Sequence, residues 1–287
     1  MVVESKLCHT IGAFVDILGF SSKVRSVHTK EELGKIEKAV RKVRDEFEYR
    51  SSDVDIRRMH EEYKKQVLAF SDCIAVSIPL ESNMTEMEGT FDAIMSEFTS
   101  FGYAQANCVL SGNFLRGGVD FGWWYADDDM LISPALANAY DLEREANVPV
   151  LALSDQIFSY FEKHKHRKHY SEDADPFPLT FRKYTETKSG LPKYFIDYLN
   201  ICLRSVDWKT SMKQFEEYKQ ASHERKNEIM GEGYRSNAIR WLQQHRKVIS
   251  EALKYITAGN VRTKYEWLIQ YHNIICGEYG FTDDCAI

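Results

Sequence analysis

The chain has 287 residues, 44% hydrophobic and 28% charged, which is enough to bury the core of one large domain or of two ordinary ones. Its formal net charge of −6 provides no chain-wide basic field for a phosphate backbone, so we expect no nucleic acid as its main partner. No apolar run approaches the roughly 18 residues of a membrane span, and the first ten residues lack the basic-then-apolar order of a secretory signal. These features predict a cytoplasmic protein without a membrane partner.

The cysteines do not form a metal or disulfide pattern. No two of them are spaced as Cys-x-x-Cys, which argues against a zinc knuckle and against a disulfide framework. We interpret them as reduced thiols that mostly lie in the core. The six are Cys8, Cys73, Cys108, Cys202, Cys276 and Cys285.

The first half of the chain alternates strands and helices. Residues 11–20 are rich in β-branched and aromatic side chains and predict a buried strand. Residues 29–65 carry apolar side chains at helical spacing among many charges, which predicts two exposed amphipathic helices. Residues 67–80 predict a β-hairpin whose turn lies near Ser71 and Asp72.

The pattern continues with a helix at about 86–106, then a strand, an acidic turn and a short second strand. Pro134 fits the first turn of a helix over about 134–146, and residues 148–155 predict one more strand. This order is typical of an α+β domain in which helices cover one face of a mostly antiparallel sheet. Residues 164–169, HKHRKH, lie in a charged loop. Residues 196–276 predict a series of helices, among them one over 211–230 and a separate one over 237–256.

The acid within the first predicted strand needs a physical explanation. Burial of an unpaired carboxylate costs several kcal/mol, roughly, so Asp16 needs a cation, a hydrogen-bond partner or an exposed strand end. If the sheet pairs the first strand with the hairpin, Asp16 and Asp72 come together, and two such carboxylates are tolerated around a divalent cation. The backbone that turns at Gly19 is also suited to holding phosphate oxygens.

Taken alone, each acid also has a plain structural interpretation. Asp16 is a candidate cap for a helix that begins near Ser21 or Ser22, and Asp72 is a candidate turn residue. The order of the two acids along the chain favours the metal interpretation over either of these.

Four stretches occur in an order that resembles a known family: FVDILGFSS, FSDCIAVS, LRGGVDFG, and LISPALANAYDLE followed by VPVLALSD. Over roughly residues 9–155 the chain resembles the catalytic domain of class III nucleotidyl cyclases, and more closely the pyrimidine cyclases of bacterial anti-phage (Pycsar) signalling. The resemblance implies a ferredoxin-like βαββαβ core and a head-to-tail homodimer with active sites at the interface. It also implies two divalent metal ions, Mn²⁺ or Mg²⁺, held by Asp16, Ile17 and Asp72.

The chain departs from the adenylate and guanylate cyclases at positions that matter for chemistry. Leu68 stands where those enzymes carry a purine-reading Lys, and Ala137 and Asp141 stand where they carry an Asn and an Arg that steady the transition state. Arg116 is the first candidate replacement, because a guanidinium can hold a triphosphate bidentately, and Arg144 is the second.

The resemblance therefore implies a cyclase that converts a pyrimidine triphosphate, with UTP favoured over CTP, to a 3′,5′-cyclic monophosphate and pyrophosphate. A separate effector protein would sense this messenger in anti-phage defence. The expected catalytic residues are Asp16, Asp72 and Arg116. The expected substrate-binding residues are Ile17, Gly19, Phe20, Ser21, Phe70 and Arg116. We expect residues 1–160 to form the catalytic domain and 161–287 a mainly helical extension packed on it.

Two other functions stay open on the sequence: a purine cyclase with an altered base pocket, and a degenerate domain that only binds a nucleotide. Several local features also keep structural alternatives. Arg116 is free to pair with Asp120 or with a neighbouring helix. The acidic run 127–129 and the loop 164–169 predict solvated surface, the aromatic run 123–125 predicts either core or a dimer surface, and the C-terminal helical stripe predicts core.

Overall fold

The computed structural model describes residues 8–48, 61–127, 130–256 and 259–287. The chain divides into two compact units, Met1–Tyr198 and Leu199–Ile287. The first unit contains a mixed sheet, and the second is helical. Among the residues that the structure describes, no helix combines the length and the apolar composition needed to cross a bilayer.

The eight-stranded sheet has the order β2-β3-β1-β4-β6-β8-β7, with β5 paired to β4. All neighbours are antiparallel except β4 and β6, which are parallel. The strands are β1 (Cys8–Ile17), β2 (Gln66–Phe70), β3 (Cys73–Pro79), β4 (Leu115–Ala126), β5 (Leu131–Ile132), β6 (Leu151–Leu153), β7 (Phe181–Tyr184) and β8 (Lys193–Ile196).

The first four strands confirm the predicted ferredoxin-like βαββαβ core. Helices α1 (Phe20–Arg25) and α2 (Lys30–Glu48) connect β1 to β2, and α3 (Asn83–Glu88) and α4 (Thr90–Leu110) connect β3 to β4. The order β2-β3-β1-β4 places β1 between β3 and β4, antiparallel to both. Each helical connection therefore crosses over one intervening strand, which defines this fold.

The predicted hairpin is also confirmed, with Ser71 and Asp72 as its two turn residues between β2 and β3. Ser71 has φ of +58°, in the left-handed region that a tight two-residue reversal often requires. Of the two helices predicted over 29–65, the structure contains α2. The second falls largely on residues 49–60, outside the described residues.

The helix predicted over 86–106 is two helices. Ser82 caps α3 by accepting a hydrogen bond from the Thr85 N–H, so helical structure begins earlier than the apolar pattern indicated. Gly89 then adopts φ of +88°, which ends α3, and α4 starts at the next residue. Gly89 is a conformational break that apolar periodicity does not report.

Helices cover both faces of the sheet, so the prediction of a single covered face was wrong. Helix α5 (Pro134–Ala146) lies on the face that carries Gly12, Gly118 and Gly122. It approaches the sheet so closely that a Cβ at Gly118 would overlap the Ala139 carbonyl oxygen. Only glycine permits this close approach.

The opposite face of the sheet is covered by α4. Phe121 of β4 stacks on Phe161 of helix α6 (Asp155–Glu162), and Phe161 contacts Phe98 of α4 edge-on. Because Phe121 is adjacent to Gly122, its side chain points to the other side of the sheet.

The sheet continues past the expected catalytic domain. After a short 3₁₀ turn (Lys165–His169) and helix α7 (Pro176–Thr180), β7 and β8 join the sheet through β6. The compact unit therefore ends at Tyr198 instead of residue 160, because strand pairing ties 181–196 to the sheet.

The second unit has one long helix where the sequence suggested two. Gly231 and Gly233 lie inside α10, and Gly233 is needed there because a Cβ would overlap the Trp208 carbonyl. The predicted stripe is largely core: Leu242, Trp267 and Leu268 are buried. The helices are α8 (Tyr198–Arg204), α9 (Met212–Gln220), α10 (His223–Leu253), α11 (Asn260–Glu278) and α12 (Thr282–Cys285).

Candidate active site

Asp16 is the second-last residue of β1, the strand at the centre of the βαββαβ core. In the register of the sheet it lies directly opposite Cys73 of β3 on one side and Arg116 of β4 on the other. Directly opposed residues of neighbouring strands place their side chains on the same face. The register thus puts one cation and one thiol beside the Asp16 carboxylate.

The hairpin turn brings the second predicted acid to the same place. Ligand atoms of Asp16, Asp72 and Cys73 all lie within 4.8 Å of one another. The sheet therefore brings together the two acids that the sequence singled out, although 55 residues of chain, roughly, separate them.

Asp16 is a carboxyl group in a partly buried, acidic setting. Burial and a hydrogen bond with Asp72 raise the pKa of Asp16 to about 6, against the opposing effect of Arg116. A cation placed between the Asp16 and Asp72 carboxyls removes their repulsion by charge.

The donor set fits a hard divalent cation. Burial, together with the nearby carboxylates of Asp72 and Asp16, raises the pKa of the Cys73 thiol to about 12, so Cys73 is neutral at physiological pH. Two carboxylates without a thiolate are the chemistry that Mg²⁺ and Mn²⁺ prefer, whereas zinc sites favour thiolate and imidazole.

Arg116 contacts two carboxylates. Its Nε and Nη2 each lie 2.9 Å from Oδ2 of Asp16, and its Nε lies 2.5 Å from Oε1 of Glu143 in α5. The alternative pairing with Asp120 is wrong, since Asp120 instead accepts hydrogen bonds from the Phe121 N–H and the Ser154 hydroxyl. The alternative pairing with a neighbouring helix is correct through Glu143.

Glu143 is the site residue that sequence reasoning missed. It is 3% exposed and belongs to the buried stripe of α5, which is otherwise alanine. The signal was present in the sequence, because residues 135, 139, 143 and 146 recur at helical spacing and only one of them is charged. An acid in such a stripe requires a cationic partner.

The turn that follows Asp16 has the predicted shape. Gly19 precedes α1 with φ of +77°, and no side chain caps the first turn of this helix. The alternative in which Asp16 caps a helix at Ser21 or Ser22 is therefore not observed. Phe20 is buried and Ser21 is exposed. Phosphate binding by Ile17, Gly19, Phe20 and Ser21 stays a prediction.

Apolar side chains flank the acidic pair on the edge strand β2. Phe70 lies opposite Cys73 in the register, and Leu68 lies opposite Ala75, so both share the face of Asp16. Phe70 is 51% exposed and Leu68 is 38% exposed. This edge of the sheet is an exposed apolar surface next to the carboxylates.

Helix α5 does not supply the residues that the resemblance expects. Ala137 and Asp141 are exposed on α5. Arg144 is also exposed, and its guanidinium lies 5.8 Å from the centre of the Tyr140 ring, so it lies outside the Asp16 cluster. Of the two arginines considered, the structure brings only Arg116 to Asp16.

The remaining sequence features are structural. Asp127 accepts hydrogen bonds from the Tyr125 hydroxyl and the Met130 N–H, as expected of a turn residue, and residues 128 and 129 lie outside the described residues. Trp124 is core, whereas Trp123 is 39% exposed. Segment 164–169 is mostly 3₁₀ turn, with exposed and half-buried side chains.

A scan against protein-family models finds no match, and a search of curated proteins also finds none. Solved structures do match. A bacterial light-regulated adenylyl cyclase is 18% identical with a TM-score of 0.36, covering 69% of this chain and 53% of its own. The adenylyl cyclase CyaB from P. aeruginosa is 12% identical with a TM-score of 0.39, covering 68% and 96%.

A third match is the catalytic core of a rhodopsin-guanylyl cyclase with converted specificity, in complex with ATPalphaS. It is 12% identical with a TM-score of 0.39 and covers 68% of this chain and 98% of its own. The chain spans about half the length of the light-regulated cyclase, 53%. At these TM-scores the assignment of the fold rests on the strand order and register described above.

Proposed function

We propose that this chain is a nucleotidyl cyclase that converts a pyrimidine nucleoside triphosphate, UTP in preference to CTP, into a 3′,5′-cyclic monophosphate and pyrophosphate. One observation carries the proposal: β1 and the β2–β3 hairpin bring Asp16 and Asp72 together beside Arg116, with ligand atoms of Asp16, Asp72 and Cys73 within 4.8 Å of one another. The four sequence motifs that resemble class III cyclases supply the reaction type.

The reaction is an intramolecular phosphoryl transfer. The ribose 3′-oxygen bonds to the α-phosphorus and loses its proton, the bond from the α-phosphorus to the bridging oxygen breaks, and pyrophosphate leaves. Asp16 and Asp72 would hold the divalent cations, which would supply positive charge against the reacting oxygens. In this proposal Arg116 donates hydrogen bonds to phosphate oxygens, and no covalent intermediate on the protein is needed.

The pyrimidine part of the proposal rests on the edge strand. Leu68 and Phe70 offer apolar surface where a purine reader would carry a hydrogen-bonding side chain. Phe70 would fill space beside the carboxylates that a larger base would need. Such a packing difference accounts for about 1–3 kcal/mol of discrimination.

We further propose a homodimer with its active sites at the interface. The exposed apolar side chains of Leu68 and Phe70 lie on the edge strand β2 and suit burial by a second copy. The resemblance also suggests that the cyclic product is a messenger read by a separate effector during phage infection. A rise in cyclic pyrimidine nucleotide in infected cells that carry the protein is the corresponding test.

The direct experiment incubates the purified chain with Mn²⁺ and each of ATP, GTP, CTP and UTP, and identifies cyclic products by mass. We expect cyclic UMP as the main product, and its loss in both Asp16→Ala and Asp72→Ala. Glu162→Ala is the matched control, because Glu162 is an exposed acid of α6 outside the site. A cyclic purine as main product would contradict the base assignment, and full activity in either aspartate variant would contradict the site.

One observation favours a second candidate, a domain that binds a nucleotide without turning it over. Ala137 and Asp141 occupy the positions at which related cyclases carry their transition-state Asn and Arg. This candidate predicts Mn²⁺-dependent UTP binding by calorimetry with no cyclic product under any of the four substrates.

A further inference from the structure

We infer that Glu143 is a positioning residue. It holds the Arg116 guanidinium in place when Asp16 ligates a divalent cation. The inference rests on the proposed metal site at Asp16 and Asp72 and adds a role for a buried acid of α5. Three features of the Asp16–Arg116–Glu143 chain support it: the atom that Arg116 contacts on Asp16, the unsatisfied oxygen of Glu143, and the rigid attachment of α5 to the sheet.

The first feature is competition for one oxygen. Arg116 uses both Nε and Nη2 on the same Oδ2 of Asp16, at 2.9 Å each. A cation that takes Asp16 as a ligand reduces the negative charge available to the guanidinium. Arg116 then needs a second acceptor within reach, because a partly buried guanidinium without a carboxylate partner is costly.

The second feature is an acceptor that is ready and unsatisfied. Glu143 Oε1 lies 2.5 Å from Arg116 Nε, yet among the described residues no group donates a hydrogen bond to it. The reason is that the single Nε–H is directed at Asp16. A buried carboxylate oxygen that lacks a donor costs free energy, so turning the guanidinium from Asp16 towards Glu143 is favourable once Asp16 has another cation.

The third feature is that Glu143 cannot withdraw. Helix α5 lies so close to β1 and β4 that a Cβ at Gly118 or Gly122 would overlap the backbone of Ala139 or Ala135. This contact fixes the helix backbone, and therefore the backbone of Glu143, at a constant distance from β4. Glu143 is thus a second acceptor for Arg116, whose position on β4 lies directly opposite Asp16 of β1.

The inference makes a specific statement about cation binding. In Glu143→Gln, Arg116 has only Asp16 as a full carboxylate partner, so a cation must displace a stronger pair and binds more weakly. A simpler explanation gives the same direction: Glu143 attracts the cation through space, with no help from Arg116. The two explanations differ in whether the effect of Glu143 needs Arg116.

A double-mutant cycle on Mn²⁺ binding separates them. The full chain is titrated with Mn²⁺ alone, followed by water-proton relaxation, as wild type, Glu143→Gln, Arg116→Gln and the double variant. We expect Glu143→Gln to weaken binding about tenfold in the wild-type background and less than twofold in the Arg116→Gln background. Equal losses in both backgrounds, or no loss in either, overturn the inference. Glu145→Gln, an acid of the same helix, controls for loss of one negative charge.

Glu143→Asp gives an independent answer if Arg116→Gln fails to fold. The shorter acid keeps the charge but draws its oxygens back from Arg116. We expect weakened Mn²⁺ binding close to that of Glu143→Gln, whereas wild-type binding in this variant overturns the inference. The temperature of unfolding, measured for each variant, separates loss of fold from loss of binding.

Failure of this inference is distinguishable from failure of the proposed function. If wild type binds Mn²⁺, Asp16→Asn abolishes binding and Glu143→Gln binds like wild type, only the role of Glu143 is wrong. If wild type does not bind Mn²⁺ at millimolar concentration, the proposed metal site fails, and the role of Glu143 fails with it.

Discussion

Two partly or fully buried ionic groups in the sheet-bearing unit differ in their balance of charge. Lys65 and Glu97 form one ion pair at 2.8 Å, with side chains 4% and 2% exposed. Arg116 lies between Asp16 and Glu143, with Asp72 beside them, and is 28% exposed. Among the described contacts, the first group pairs one acid with its cation, and the second places three acids around one guanidinium.

This difference indicates what each group does. The Lys65–Glu97 pair joins the start of the hairpin to α4 and is enclosed, with the ammonium 5.0 Å from the centre of the Phe101 ring. Burial lowers the pKa of Lys65, an effect opposed by Glu97. A balanced, closed pair contributes structure. The Asp16–Arg116–Glu143 chain has excess negative charge and access to solvent, and it can therefore take a further cation.

The largest effect that separates the two groups is expected at Asp72. Asp72→Asn removes one charge of the proposed metal site from a half-buried turn residue, so product formation should fall by about a thousandfold or more. The free energy of unfolding should change by less than about 1 kcal/mol. Initial rates with Mn²⁺ and UTP, together with urea unfolding, measure both quantities. Retained activity together with a large fall in the free energy of unfolding would reverse the comparison.

The opposite result is expected at Glu97. Glu97→Gln removes the Glu97 carboxylate from the buried ammonium of Lys65, and should lower the free energy of unfolding by about 3–5 kcal/mol. Activity per folded molecule should stay close to wild type. Glu37→Gln, at an exposed i,i+4 pair with Arg41, is the control and should cost less than about 0.5 kcal/mol. Similar losses for both variants would show that the Lys65–Glu97 pair contributes no more than a surface pair.

A smaller effect is expected for base choice. Leu68→Lys adds a hydrogen-bonding cation at the position where purine cyclases carry one, and should raise the ratio of ATP to UTP turnover about tenfold. Met87→Lys, at an exposed apolar residue of α3, controls for the added charge. An unchanged ratio in Leu68→Lys would remove the edge strand from the base-specificity argument.

The smallest effect concerns pH. The pKa of Asp16 is about 6 in the fold and 3.8 ordinarily, so the folded chain holds more protons than the unfolded chain between these values. The contribution of Asp16 to the free energy of unfolding is therefore fully present below about pH 4. It falls by about 1 kcal/mol, after allowance for solvent screening, as the pH rises to about 6.

The measurement for this prediction is urea unfolding at pH 4 to 7 in EDTA, for wild type and Asp16→Asn. Other titrating groups cancel in the difference between the two proteins. The free energy of unfolding of wild type minus that of Asp16→Asn should fall as pH rises through this window. A value that rises with pH would contradict the assigned sign.

The sequence predicted the individual strands and helices of the core well because these elements are short and clearly bounded, whereas the βαββαβ arrangement was what the resemblance implied. The hairpin at 67–80 and the helix from Pro134 to Ala146 follow from local signals, a polar turn and a proline at a first turn. The break at Gly89 and the continuous α10 were missed. In both cases a glycine has a role set by its φ angle or by a distant carbonyl, which apolar periodicity does not contain.

The candidate site was predicted in part. Asp16 and Asp72 were identified because acids in a strand and at a hairpin tip are unusual enough to need an explanation, and the structure brings them together. Glu143 was overlooked, although it interrupts a buried alanine stripe. Its partner lies on another element, and no local pattern states which strand a helix will cover.

The sequence by itself determined which segments form strands and helices and which two acids were worth attention, because local propensity and spacing carry that information. Arg116 was a candidate only through the resemblance. Only the tertiary structure decided that Asp16 lies between Cys73 and Arg116, and that Arg116 also meets Glu143. Strand alternation assigns a residue to a face but does not assign its neighbour. That neighbour is set by register and by the glycines that let α5 approach the sheet, and both depend on long-range packing.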